Sequence, residues 1–140
     1  MRKRYRVILV VIGYMILLWY AEGWGADWKF LGQDIKGSVL EIDVASISHQ
    51  PNNIVRVLVK HTRSKESVTD WVKRFGEQYK DFSYSVDLEE YDCTERKRRI
   101  LNLTQYSSDG GVIFSDNSPG EWRLIIPDSM ADAAFEEVCK

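Results

Sequence analysis

Hydrophobic and polar residues alternate with a period of two in most segments after residue 27, which is the pattern of β-strands with one buried face. The clearest example is Ile54–His61, where Val55, Val57 and Val59 fall on one side. Turn residues separate the segments, as in Ser108–Gly111, so neighbouring strands are expected to pair as hairpins. The candidate strand segments are Trp28–Gly32, Gly37–Asp43, Ile54–His61, Phe82–Tyr91, Arg96–Tyr106, Val112–Phe114 and Trp122–Ile126.

The segment Phe82–Tyr91 alternates over its whole length. An antiparallel strand commonly buries one face and exposes the other to water. We therefore expect the apolar side of this strand to be buried and its polar side to be wet. The apolar side carries Phe82, Tyr84, Val86 and Leu88, and the polar side carries Ser83, Ser85, Asp87 and Glu89.

Two segments change to the period of an α-helix. From Val68 to Lys80, apolar residues recur at i, i+3, i+4, i+7 and i+11, and Ser67 with Asp70 resembles an N-terminal cap. Near the C-terminus, Ser129 and Asp132 form a similar pair, followed by an apolar face of Ala131, Ala134, Phe135 and Val138. These patterns predict an α+β fold: an antiparallel sheet of about six strands, one helix inserted after the third strand and one C-terminal helix.

The first twenty-six residues have the order of a secretory signal peptide. A basic start is followed by uncharged Val7–Tyr20 and then by small residues at Ala21, Gly23, Gly25 and Ala26. This apolar stretch is short for a membrane span, which needs about 20 residues. An uncleaved N-terminal anchor is the alternative. We predict a signal peptide over residues 1–26, with its cleavage site open, and a single domain over 27–140.

The predicted domain is mildly acidic. The chain has 19 basic and 21 acidic residues, and removing the leader with its four cations and Glu22 leaves a net charge of about −5. This argues against general nucleic-acid binding, which needs a basic surface. The sequence holds no G-x-S-x-G, P-loop or H-E-x-x-H motif. We therefore predict no cofactor and no enzymatic activity, and an enzyme is the least favoured alternative.

Cys93 and Cys139 are the two cysteines of the chain. In an exported protein this even count favours a disulfide, which would fasten the C-terminus to the body of the domain. The alternative is a zinc site with His49 and His61, but no pair of these residues has the spacing of zinc ligands. We predict the disulfide and no metal site, and we interpret both histidines as ordinary surface or strand residues.

The one dense basic run of the predicted domain is Arg96, Lys97, Arg98 and Arg99. In a strand, Arg96 and Arg98 would share one face, and Lys97 and Arg99 the other. These residues are a candidate docking patch for an acidic partner surface. The alternative is a solvated strand whose charges protect a sheet edge or pair with Asp87, Glu89 and Glu90.

Aromatic residues on the first predicted helix raise a similar choice. Trp71, Phe75 and Tyr79 could anchor an interface. Because they follow the helical period, we interpret them as core residues.

A series of landmarks follows in a fixed order along the chain: Trp28, Ile42-Asp43, the strand Val55–Lys60, the run Val86–Cys93, Arg98-Arg99, the turn Tyr106–Gly111, Trp122, Ile125-Ile126-Pro127 and Cys139. In this order, from about Trp28 to Cys139, the chain resembles the bacterial surface-adhesin protein E-like family. The resemblance implies a small exported β-rich domain whose C-terminal helix is held by the cysteine pair, and it implies binding of extracellular-matrix and plasma proteins.

The leading hypothesis is therefore an exported, non-enzymatic binding module of the periplasm or the cell surface. It would bind a protein partner, of the extracellular-matrix type or from the envelope, through a sheet face, a sheet edge or the basic strand. Edge pairing would also allow a homodimer, and membrane contact would arise only through an uncleaved leader. The alternative is a periplasmic structural or accessory envelope protein with no external ligand.

Overall fold

The computed structural model of the chain describes residues 25–140. Most of the predicted signal peptide, residues 1–24, lies outside the described residues. No helix between residues 25 and 140 is long and apolar enough to cross a membrane.

The centre of the fold is an antiparallel sheet in which strands adjacent in sequence are adjacent in space, in the order β1 to β6. A seventh, very short strand, β7, pairs with the start of β5. The α+β prediction is confirmed, and β7 is the remnant of the longer predicted segment Trp122–Ile126. The strands are β1 (Trp28–Gln33), β2 (Val39–Gln50), β3 (Ile54–Thr62), β4 (Phe82–Asp92), β5 (Lys97–Ser107), β6 (Val112–Asp116) and β7 (Arg123–Leu124).

Two helices accompany the sheet: α1 (Lys65–Phe75), inserted between β3 and β4, and α2 (Met130–Val138) at the C-terminus. The predicted start of the first helix was wrong, because the Ser64 hydroxyl, not that of Ser67, caps it by accepting from the Ser67 amide. Its predicted end was also wrong. Gly76 has φ +105°, which stops α1 and leads into a short 3-10 turn, Glu77–Tyr79.

The hydrophobic core lies between α2 and one face of the sheet, which we call the helix-side face. Ala134, Phe135 and Val138 of α2 are buried there, as the sequence predicted. Their partners in the sheet are Leu40, Ile42, Val55, Val57, Val59 and Tyr91. The Ser129 hydroxyl caps α2 by accepting from the Asp132 amide, which confirms the second predicted cap.

The predicted disulfide between Cys93 and Cys139 is present. It joins the end of β4 to the residue that ends α2, so it closes a loop of 46 residues. The bond therefore attaches the C-terminal end of α2 to the sheet.

The predicted burial of β4 was right for Phe82, which is 3% exposed, and wrong from Tyr84 onwards. Ser85, Asp87 and Glu89 face the core side and are 0%, 4% and 1% exposed. Tyr84, Val86 and Leu88 lie on the opposite face and are only half-buried. The reason is the register with β3, which places Asp87 opposite Val59 and Glu89 opposite Val57, on the same face of the sheet as these buried valines.

Candidate functional site

The buried polar side of β4 is the centre of a cluster of charged groups on the helix-side face. It continues onto β3, where His61 lies directly opposite Ser85, and onto β5, where Arg98 lies opposite Tyr91. Antiparallel pairing brings such cross-strand neighbours into contact. We call the group formed by His61, Arg63, Ser85, Asp87, Glu89, Tyr91 and Arg98 the polar cluster.

Glu89 is the best-satisfied member of the polar cluster. The Arg98 guanidinium donates to one carboxylate oxygen at 2.8 Å, and the Tyr91 hydroxyl donates to the other. Burial and the neighbouring Glu89 charge raise the pKa of Tyr91 well above its usual value, so the phenol keeps its proton and remains a donor. The pairing with Arg98 compensates the charge of Glu89 inside the protein.

Asp87 is less well satisfied. Burial, and next the charge of Glu89, raise its pKa to about 7, although Arg63 and Arg98 act in the opposite direction. Its Oδ2 atom lies 3.7 Å from His61 Nε2, and its Oδ1 atom has no hydrogen-bond partner within residues 25–140. Asp87 is thus a buried carboxyl group whose ionised form is incompletely compensated.

His61 is neutral at physiological pH. Burial, and then the positive charges of Arg63 and Arg98, lower its pKa to about 4. One ring nitrogen of a neutral imidazole is an acceptor, and His61 Nε2 faces the Asp87 carboxyl. The imidazole is therefore available as a hydrogen-bond or metal ligand rather than as a cation.

The polar cluster contains a serine, a histidine and an aspartate, but it does not have the geometry of acyl-transfer catalysis. A nucleophilic serine must bond to its base and must reach the substrate. Ser85 is fully buried, and its hydroxyl bonds to no group in the part of the chain that the structure describes. Its chemistry is thus that of a buried polar group, not of an exposed nucleophile.

The opposite face of the sheet, which we call the open face, lies away from both helices. Its centre is Lys60 of β3, whose ammonium group lies over the rings of Trp28 and Tyr84. Tyr84 in turn stacks on Tyr106 with ring centroids 4.8 Å apart. A shallow depression of about 530 Å³ lies beside Trp28, Lys60 and Tyr84, so aromatic and aliphatic surface is accessible there.

A three-residue ion network lies further along the open face. Glu90 accepts from Arg56 on β3 and from Arg99 on β5, with contacts of 2.6 and 2.7 Å. Burial alone would raise the pKa of Glu90, but these hydrogen bonds hold it below its usual value. The Arg99 guanidinium also lies 4.6 Å from the ring centre of Trp122.

The four residues of the predicted basic patch are divided between the two faces. Arg96 lies on the Phe135 ring and pairs with Asp132 and Glu136 of α2. Arg98 joins the polar cluster, Arg99 faces the open side, and Lys97 pairs with Glu95. Each of the four therefore has an acidic neighbour in its own chain, and Arg99 contributes to the open face through Glu90 and Trp122.

Trp71 and Phe75 of α1 and Tyr79 of the following 3-10 turn form a cluster with Phe82 at one end of the sheet. Tyr79 is buried and Trp71 is half-buried, as expected of core residues. Phe75 is 47% exposed, so the core prediction was wrong for this residue. It is the last residue of α1, next to Gly76, and its ring packs only against Trp71 and Tyr79 among the aromatic residues between 25 and 140.

Sequence reasoning missed the polar cluster, although one signal for it was present. His61 continues the series Val55, Val57 and Val59 on one side of β3. A residue at the end of a buried series is expected to share its face, and its neighbours in β4 would then be the polar residues. The pairing partner of β3, which is set by the whole sheet, was the missing information.

The fold and these two surfaces define a class of protein: a small, disulfide-linked β-sheet domain with helices packed on one face of its sheet. The chain belongs to the surface-adhesin protein E family, whose model matches residues 28–140. No curated protein matches the sequence.

Proposed function

We propose that this protein is an exported adhesin-type binding module that captures a protein partner on the open face of its sheet. Membership of a surface-adhesin family supports the binding role and a location outside the cytosol. The observation that carries the choice of surface is the row Trp28, Lys60, Tyr84 and Tyr106, whose side chains are half-buried and partly accessible, on the sheet face opposite α2.

The composition of this row suits a protein partner. Aromatic residues and arginine are enriched in the energetically important centres of protein interfaces. On the open face the rings are held in place by cation contacts and by stacking, so little side-chain entropy would be lost on binding. Arg99, from the predicted basic patch, adds a cation to the same surface.

The partner class that we propose is an extracellular-matrix or plasma protein. The direct experiment is a binding assay against a panel of such immobilised proteins. The variants Tyr84→Ala and Tyr106→Ala should lose capture, whereas Phe75→Ala, which removes an exposed aromatic ring elsewhere, should retain it. Capture that is equal in all variants would contradict the choice of surface.

The second candidate is a periplasmic accessory protein that has no external ligand. External protease applied to intact cells distinguishes the two locations. Degradation supports the cell surface, whereas protection until the outer layer is opened supports the periplasm. A homodimer through the outer edges of β1 and β6 stays a prediction, and sedimentation of the purified protein tests it.

A further inference from the structure

Three side chains of the polar cluster have the residue types and spacing of metal ligands. His61, Asp87 and Glu89 each offer one ligand atom, and these atoms all lie within 4.8 Å of one another. We propose that His61, Asp87 and Glu89 bind a divalent transition-metal ion such as Zn²⁺ on the helix-side face of the sheet. This site is separate from the partner-binding surface, which lies on the other face.

A second observation, independent of the three ligands, points to an occupant. The Ser85 hydroxyl is completely buried and close enough to the Asp87 carboxyl to act against the rise in its pKa, but the two groups do not meet in hydrogen-bond geometry, so Ser85 Oγ has no partner among residues 25–140. Asp87 Oδ1 is also buried and unpartnered. A buried polar atom without a partner is destabilising, so native proteins rarely contain two side by side. A bound ion and its coordinated water would satisfy both atoms.

The chemistry of the ligands selects the type of metal. An imidazole nitrogen with carboxylate oxygens suits zinc and neighbouring first-row metals, whereas magnesium and calcium prefer oxygen ligands alone. His61 Nε2 lies 3.7 Å from Asp87 Oδ2, so an imidazole nitrogen and a carboxylate oxygen are near enough to share one ion. Its side chain is 23% exposed, which gives an ion a path from solvent to the buried carboxylates.

Tyr91 and Arg98 act as outer-shell groups in this arrangement. Both donate to Glu89 and so fix the orientation of its carboxylate. The positive charges of Arg98 and Arg63 also reduce the attraction for a cation. We therefore expect weaker binding than at a closed zinc site with four protein ligands.

The chain contains a matched control for the experiment. His49 is the only other histidine, and it is exposed and far from the cluster in the ladder of β2 and β3, where it pairs with Val55. Replacing His49 with Gln removes an imidazole from the surface, whereas His61→Gln removes it from the proposed site. The comparison separates binding in the cluster from adventitious binding at an exposed histidine.

The test is calorimetric titration of ZnCl₂ into the protein, purified without a histidine tag and treated with a chelator. The wild type and the His49→Gln variant should each bind one equivalent of Zn²⁺, and MgCl₂ should give no comparable signal. His61→Gln should weaken zinc binding by about 100-fold. Asp87→Asn should weaken it by about tenfold or more.

Circular dichroism establishes that each variant is folded. If His61→Gln fails to fold, the zinc titration of Asp87→Asn tests the proposal. The proposal is overturned if the wild type binds no zinc at about 100 μM, a concentration well above a Kd of 1 μM. It is equally overturned if the folded cluster variants bind zinc as the wild type does. Capture of the protein partner on the open face should be unaffected by either variant.

Discussion

The Arg98 guanidinium bonds to the Glu89 carboxylate at 2.8 Å across neighbouring strands, and Glu89 is 1% exposed. A carboxylate can remain ionised at that depth only with a compensating charge and satisfied oxygen atoms. Arg98 and Tyr91 supply both. The pair therefore explains why a glutamate is tolerated on the core side of β4.

Removing Arg98 should destabilise the domain strongly. In Arg98→Ala, Glu89 would be buried without its counter-charge, and we expect a loss of about 3 kcal/mol in the free energy of unfolding. Urea denaturation measures this loss. The double variant Glu89→Gln/Arg98→Ala should recover part of it, because a neutral amide needs no counter-charge. A single variant as stable as the wild type would contradict this account of the pair.

Removing the disulfide should also lower stability. A bond that closes 46 residues restricts the unfolded chain, and the chain-entropy model gives a contribution of about 4 kcal/mol. We expect the Cys93→Ala/Cys139→Ala variant to unfold at a clearly lower urea concentration, with faster amide exchange in α2 than in β3. Equal exchange protection in α2 with and without the bond would show that the helix docks independently of it.

The neighbours Arg96 and Lys97 should behave differently when truncated. Arg96 contacts the Phe135 ring and two carboxylates of α2, so Arg96→Ala should cost about 1 kcal/mol by weakening helix docking. Lys97 pairs only with Glu95 near the surface, and Lys97→Ala should change stability by less than about 0.5 kcal/mol. Thermal unfolding of the two variants gives the comparison, and equal losses would contradict it.

The stability of the domain should depend on pH through two opposing groups. The pKa of His61 falls from 6.5 to about 4 on folding, so its contribution to stability decreases as pH falls from 6.5 towards 4. The pKa of Asp87 rises from 3.8 to about 7, so its contribution decreases as pH rises from 4 towards 7. The charges of Arg63 and Arg98 act on both pKa values, and that of Glu89 acts on the pKa of Asp87. In the wild type the two contributions to stability therefore change with pH in opposite directions.

Single variants should separate these two effects. In Asp87→Asn the stability should increase between pH 4 and 6.5, and in His61→Gln it should decrease between pH 4 and 7, each by up to about 1.4 kcal/mol per pH unit and proton. Urea denaturation at several pH values, in the presence of a chelator, measures both slopes. Slopes of the same sign in the two variants, after subtraction of the wild-type curve, would contradict the assignment.

The strands and the C-terminal helix could be predicted because their patterns are local. Alternation over Ile54–His61 and the i, i+3, i+4, i+7 face from Ala131 to Val138 depend only on backbone geometry. The cap at Ser129 is equally local. The start of α1 was misplaced by three residues, because both Ser64 and Ser67 are suitable caps and the chain path out of β3 selects between them.

The candidate sites were less predictable because they depend on pairing. The basic run Arg96–Arg99 was visible as charge, but its acidic partners lie on α2 and on β4, which are distant in sequence. The alternative pairing of this run with Glu89 and Glu90 was open from the sequence and is observed, but the position of His61 beside Asp87 could not be predicted. His61 and Asp87 are 26 positions apart, and only the β3–β4 register brings them together.

The sequence by itself determined the periods, the turns, the helix faces and the single way in which two cysteines can pair, since each follows from backbone geometry or from counting. It also determined which residues of β4 share a side. Only the tertiary structure decided which side of β4 is buried. The register with β3 puts Asp87 and Glu89 on the face that packs into the core and Tyr84 and Val86 on the opposite face. Alternation along a strand defines two faces but does not say which of them is buried, because burial depends on the elements that pack against the strand.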